Sequence, residues 1–128
     1  MNVEYNLMPQ GAVLQDFNDC RSRNSFIMGP LGSGKTVQCI LKLFDLMCEQ
    51  EPVMQKDHKN YGVRLSRIIA ARNTYSELFS TTIKDWLEIH GELGDFKQGN
   101  KEPPTHFLRF NLEDGTQVHC DVVFIAFD

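Results

Sequence analysis

The sequence predicts an α/β fold: a parallel sheet with flanking helices, incomplete, carrying one antiparallel hairpin. Three observations predict it. A glycine-rich loop at residues 29–36 stands between a short apolar run and a stretch of helical period. A long connection containing that helix joins the short run to a second apolar run, as a parallel βαβ unit requires. Asp114-Gly115 separates two alternating stretches, the pattern of a tight hairpin.

The 128 residues suffice for one domain with its own core, and a hydrophobic content of 41% is ordinary for a globular protein. The net charge of −4 excludes an overall basic field of the kind that coats nucleic acid, though not a local basic strip. Cys20, Cys39, Cys48 and Cys120 are scattered, with no C-x-x-C pair and no histidine at zinc-site spacing. They indicate reduced thiols, with Cys39 and Cys48 core or half-buried. No signal-like N-terminus and no apolar run of membrane-spanning length is present, so a cytoplasmic location is expected.

Taken in order, Val13, Leu14 and Phe17 form one apolar face of a short N-terminal helix. Arg21 and Arg23 form a small basic pair. Ser25-Phe26-Ile27-Met28 reads as a short buried strand entering the loop. Val37, Ile40, Leu41, Phe44 and Cys48 recur at helical spacing over residues 35–49, and Leu43, Leu46 and Met47 widen the stripe, as in a helix covered on most sides. Pro52 ends that helix, and residues 50–62 read as a polar surface loop.

Residues 64–71 read as the next strand, with Arg72 just past its carboxyl end, where ligands bind in such sheets. Thr74-Tyr75-Ser76-Glu77 has capping-box form, so a helix starts near Tyr75. Thr81 and Thr82 interrupt or restart it, Ile83, Trp86, Leu87 and His90 share one face, and Gly91 stops it. Trp86 is a core residue on this reading and His90 a packed one. Residues 92–104 read as loop. Residues 105–112 alternate, as do 116–121, and residues 122–127 are continuously apolar like a buried central strand, unless an incomplete sheet leaves them as an edge. His106 and His119 are expected at surface positions of the hairpin.

The chemistry concentrates in Gly29-Pro30-Leu31-Gly32-Ser33-Gly34-Lys35-Thr36, which fits the phosphate-loop pattern G-x-x-x-x-G-K-[ST] at each fixed position. Gly29, Gly32 and Gly34 let the backbone turn tightly and approach a ligand closely. The amides then form a nest for phosphate oxygens, Lys35 brings a positive charge to the β- and γ-phosphates, and the Thr36 hydroxyl can ligate a bridging Mg²⁺. A helix that begins here adds its positive dipole end. The fold class thus becomes the sheet of P-loop NTPases, and the expected ligands are ATP and Mg²⁺. Gln10 or Gln15 could read adenine, with Phe17 or Tyr5 beside the base; the plain alternative is an N-terminal helix packing on the sheet. Hydrolysis also needs an acid at the end of a second buried strand, and Asp128, after residues 122–127, is the candidate.

Several of these residues are also familiar as a set. Gly29 to Thr36, then Arg72-Asn73-Thr74-Tyr75 with Thr81-Thr82-Ile83-Lys84-Asp85-Trp86, then Pro103-Pro104-Thr105-His106 with Asp114-Gly115-Thr116, resemble the large terminase subunit of tailed bacteriophages. The resemblance covers residues 10–128. It implies the N-terminal part of the ATPase domain of a DNA-packaging motor, with the nuclease domain absent from this chain. The implied partners are double-stranded DNA, the small terminase subunit, the portal protein and further copies in a ring, in the host cell cytoplasm.

It implies the ATP site at Gly29 to Thr36 and a phosphate-facing or nucleotide-sensing role for Arg72. Pro30, Leu31 and Ser33 provide no loop arginine of the kind some packaging ATPases carry. In similar terminases a strand like residues 122–127 precedes the Mg²⁺-binding strand, which would make Asp128 a false second motif. Weak hydrolysis by the chain alone follows. The alternatives are a non-catalytic nucleotide-binding or interaction module, or another P-loop enzyme such as a helicase or nucleotide kinase. No acceptor lid rich in arginine favours a kinase.

Overall fold

The computed structural model describes residues 11–28, 34–99 and 101–127. Gly29, Pro30, Leu31, Gly32, Ser33 and Asp128 lie outside the described residues, as do Tyr5 and Gln10.

Helix α1 spans Ala12–Asp19 and helix α2 Lys35–Glu49. Strand β1 follows at Val63–Arg72, then a helical stretch of three pieces: α3 at Tyr75–Glu77, a π-helical segment at Leu78–Ile83 and α4 at Lys84–His90. Strands β2 (Gly94–Lys97), β3 (Thr105–Asn111) and β4 (Gln117–Ala126) complete the order. The four strands form one mixed sheet in the order β1-β4-β3-β2. β1 pairs parallel with β4, in a register that runs from Val63 opposite Gln117 to Arg72 opposite Ala126. The other two pairings are antiparallel. The class is therefore α/β, but the sheet is mixed, with one parallel pair rather than a parallel set.

The expected strand at residues 25–28 is not formed, and this corrects the predicted βαβ unit. Phe26 and Met28 are exposed. Ser25 Oγ is instead held by Lys42 Nζ of α2 at 2.9 Å. Four residues lie at the lower limit of strand length. An apolar run of that size does not define its partner, and here its first residue is bonded to Lys42 of α2. The parallel partner of β1 comes from further along the chain.

β2 lies inside the stretch expected to be loop. Its sequence, Gly-Asp-Phe-Lys, carries one apolar residue, so periodicity could not reveal it. Gly94 makes it fit. With φ at 141°, a Cβ there would stand 2.0 Å from the Phe107 carbonyl oxygen, so only glycine allows β2 this close to β3. Residues 117–126 form one strand, not an alternating arm plus a separate apolar piece. β4 is central, between β1 and β3, so the edges are β1 and β2 and not residues 122–127.

One face of the sheet carries the core. Val118, Cys120, Val122 and Phe124 of β4 and Leu108 and Phe110 of β3 pack under Ile40 and Met47 of α2, Leu78 and Ile83 of the π segment and Trp86 of α4. Met47 confirms that α2 is covered beyond its main stripe. Thr74 caps the helical stretch as expected, its Oγ1 accepting from Glu77 N at 3.2 Å. The threonine interruption is a widened turn: the chain stays helical through Thr81 and Thr82 in π geometry, and Thr81 Oγ1 donates to the Glu77 carbonyl at 2.6 Å. Gly91 follows α4 in right-handed geometry, where a Cβ would stand 2.4 Å from the Leu87 carbonyl oxygen. His106 corrects the surface expectation, being fully buried, because inward positions of β3 fall at even numbers here.

Candidate functional site

α2 opens where the glycine-rich motif ends. Gly34 is its N-cap, left-handed at φ 84° and ψ 12°, and its carbonyl accepts from Gln38 N at 2.9 Å. Left-handed backbone favours glycine strongly, so the third glycine of the motif is required by geometry. No side chain caps the helix, and its first turn holds no acidic residue. No carboxylate within that turn competes for its leading amides or its dipole. Lys35 is half-buried and Thr36 exposed, both in that first turn.

Arg64 ties the C-terminal end of α2 to the start of β1. Its Nη1 donates to the Gln50 carbonyl at 2.6 Å, while Arg64 Nε and Nη2 hold Thr116 Oγ1 and Asp114 Oδ2, each at 3.0 Å. Lys35 and Thr36 open α2, and Arg72 ends β1, the end of a strand at which open α/β sheets bind ligands. Arg72 is exposed there.

α1 is fixed across α2 by a polar clamp that periodicity could not reveal. Gln38 Nε2 donates to Asn18 Oδ1 at 2.7 Å, and Asn18 Nδ2 donates to Asp45 Oδ2 at 3.0 Å. Lys42 Nζ donates to the Phe17 carbonyl at 2.8 Å and stands 4.2 Å from the centre of the Phe17 ring. Arg21 pairs with both carboxylate oxygens of Glu49, at 3.0 and 3.1 Å, so it is an ion-pair partner rather than a simply solvated charge. Gln38, Asn18 and Lys42 are buried polar side chains whose partners are supplied inside the α1–α2 contact.

Between α1 and residues 24–28 lies an open hollow of about 460 Å³, lined by Val13, Asp16, Phe17, Ile27 and Met28 among others. It immediately precedes the motif. Gln15 does not line it; its Nε2 donates to both carboxylate oxygens of Asp19 at 2.9 Å. Phe17 does line it. Among the described residues no group of three or more His, Cys, Asp or Glu side chains could hold a metal ion, and no helix is long and apolar enough to cross a membrane.

No family model, curated protein or solved structure matches the chain.

A second cluster of functional side-chain types is structural. Trp86 Nε1 donates to His106 Nδ1 at 2.8 Å. His90 packs edge-on to Trp86, with ring centres 4.8 Å apart, and stacks on Phe44 at 5.2 Å. Burial pushes the His90 imidazole down to about 4, against a hydrogen bond to the Ile40 backbone that favours the charged form, and the nearby His106 lowers it further. Burial also lowers His106, while Asp95 pulls it upward. His106 Nε2 is buried with no hydrogen-bond partner among the described residues. These are neutral core imidazoles, held so by desolvation.

Proposed function

We propose that this chain is the ATP-binding part of a P-loop NTPase, the DNA-packaging ATPase of the terminase type that its sequence resembles. The observation that carries the reading is the junction at Gly34. A left-handed glycine opens a 15-residue helix that no side chain caps, with Lys35 and Thr36 in its first turn and no acidic residue within that turn. A triphosphate bound by residues 29–36 would meet the amides of that turn, the Lys35 ammonium and, through Mg²⁺, the Thr36 hydroxyl. Arg72, at the carboxyl end of β1, would face the phosphates or sense their loss. The base would rest in the hollow beside Phe17. When bound, Mg²⁺ supplies charge neutralisation between the β- and γ-phosphates; its protein ligands would be Thr36 and an acid, for which Asp128 is the sequence candidate. Double-stranded DNA, the small terminase subunit, the portal protein and further copies in a ring are the partners this reading implies.

Calorimetric titration with ATP and Mg²⁺ tests it. The parent chain binds, and Lys35→Ala weakens binding by about 100-fold or more while its far-ultraviolet circular dichroism is unchanged. Equal affinity in the two proteins overturns the reading.

A second reading, an interaction module without catalysis, is favoured by one observation: Phe26 and Met28 lie just before the motif and are exposed to 88% and 91%.

A further inference from the structure

The helical stretch after β1 carries more apolar side chains than the core takes. Leu78, Ile83 and Trp86 are buried against the sheet. Tyr75 and Phe79 stay exposed, to 47% and 37%. Side chains at i and i+4 are neighbours on one helix face, so the two rings stand as adjacent ridges. They line an open hollow of about 610 Å³, with Pro103 and Pro104 ahead of β3 and Ile125 and Ala126 at the carboxyl end of β4. Lys35, Thr36 and Arg72 do not line it.

Two sides of the hollow are fixed before any ligand arrives. Thr74 caps the helical stretch immediately before Tyr75. On the other side the Pro104 carbonyl accepts from Phe124 N of β4 at 2.9 Å, and the Pro103 carbonyl accepts from Thr105 Oγ1 at 3.0 Å. A surface ordered in advance loses little conformational freedom on binding.

The lining selects the ligand. Grooves lined by aromatic rings take chains in polyproline II form, which arrive already extended and lose little entropy. Gln98, Lys101 and Glu102 complete the rim, and all three are exposed. The charges of Lys101 and Glu102 offset each other, so the hollow matches an uncharged segment. It lacks the positive track along which single-stranded nucleic acid is held. Tyr75, Gln98 and Lys101 present O–H or N–H donors. A proline-rich segment offers the counterpart: its carbonyls face outward, and its prolines bring no N–H of their own.

We infer that this hollow binds an uncharged, proline-rich segment of a partner protein, its proline rings seated against Tyr75 and Phe79 and its carbonyls accepting from the donors of the rim. The inference does not rest on nucleotide binding. The hollow is small beside a full protein interface, so the contact is weak and short-lived.

Amide resonances of the isotopically labelled chain test it, recorded as an oligoproline of about ten residues is added, a length of about three turns of that helix. Saturable shifts at Tyr75, Phe79, Gln98 and Ile125 are expected, with Lys35 and Thr36 unmoved. A glycine–serine peptide of the same length and oligothymidylate both leave those amides in place. In the double variant Tyr75→Ala with Phe79→Ala, at two exposed positions, affinity for oligoproline falls by about tenfold or more. No shifts at millimolar oligoproline, shifts confined to other parts of the chain, or equal affinity in parent and variant overturn the inference. So does a glycine–serine peptide that binds equally well. Oligothymidylate moving these amides in preference to oligoproline overturns it too and marks a nucleic-acid site. The shift map of the parent decides the matter even where the double variant fails to fold.

Discussion

Trp86 donates its indole N–H to His106 Nδ1, and that bond fixes which imidazole nitrogen carries the proton. Trp86→Phe removes the donor together with the five-membered ring of the indole, leaving a buried acceptor unpaired. We expect a loss of about 1–3 kcal/mol in urea unfolding, and a difference near zero would show that the bond is not formed. The same cluster sets a pH dependence. His90 and His106 titrate lower in the folded protein than in the unfolded chain, where the ordinary value is 6.5. The unfolded state therefore binds protons first. Their contribution to stability is present in full above 6.5 and is lost as pH falls from there through about 4, the folded value of His90. Full protonation of His90 alone corresponds to a loss on the order of 3 kcal/mol. Unfolding midpoints measured across that window should fall with acidification, and the His90→Gln protein should show a shallower slope. Trp86 and His90 were legible as packed residues because they end an apolar stripe. His106 was misplaced by its polar residue type, although it shares the even-numbered face of the alternating strand with Leu108 and Phe110, and that parity decides its burial.

At the scale of elements, those with a repeating pattern or a capping residue were legible, and those decided by contacts elsewhere were not. α2 begins at Lys35 and ends at Glu49 as the apolar stripe and the glycine before it predict. Thr74 caps the next helical stretch through its own hydroxyl. β2 is the opposite case, since its place depends on Gly94 lying against the Phe107 carbonyl. Gly94→Ala should cost about 2 kcal/mol or more in thermal unfolding and loosen the β2–β3 ladder, visible as faster amide exchange at Phe96. An unchanged melting temperature would mean that β2 does not lie this close to β3. Residues 25–28 failed as a strand for a related reason: apolar content was present, but their first residue, Ser25, is bonded to Lys42 of α2. Of the candidate site, the place of Lys35 and Thr36 in the first turn of α2 was readable from spacing alone. The clamp of Asn18, Gln38 and Lys42 behind them was not, because buried polar pairs carry no period.

For the whole molecule, the consequence of the topology is a sheet buried on one side. β4 alternates between fully buried Val118, Cys120, Val122 and Phe124 and only partly covered residues between them. The sequence reads continuously apolar at residues 122–127, which suggests cover on both faces, and the described structure covers one. A paired substitution separates the faces. Ile69→Ser, at 64% exposure, should change stability by no more than about 0.5 kcal/mol. Val122→Ser, fully buried in the next strand, should cost about 2 kcal/mol or more. Comparable losses at both positions in dilute protein would mean that the outer face is covered within a single chain.

The association of a triphosphate with the loop that opens α2 is tested most directly by amide resonances of isotopically labelled protein, recorded as ATP and Mg²⁺ are added. Binding at the motif predicts saturable shifts concentrated in residues 29–38 and reaching Arg72 at the carboxyl end of β1, with the β2–β3 hairpin unmoved. No shifts at saturating nucleotide, or shifts confined to residues away from Gly34, Lys35 and Thr36, would contradict it.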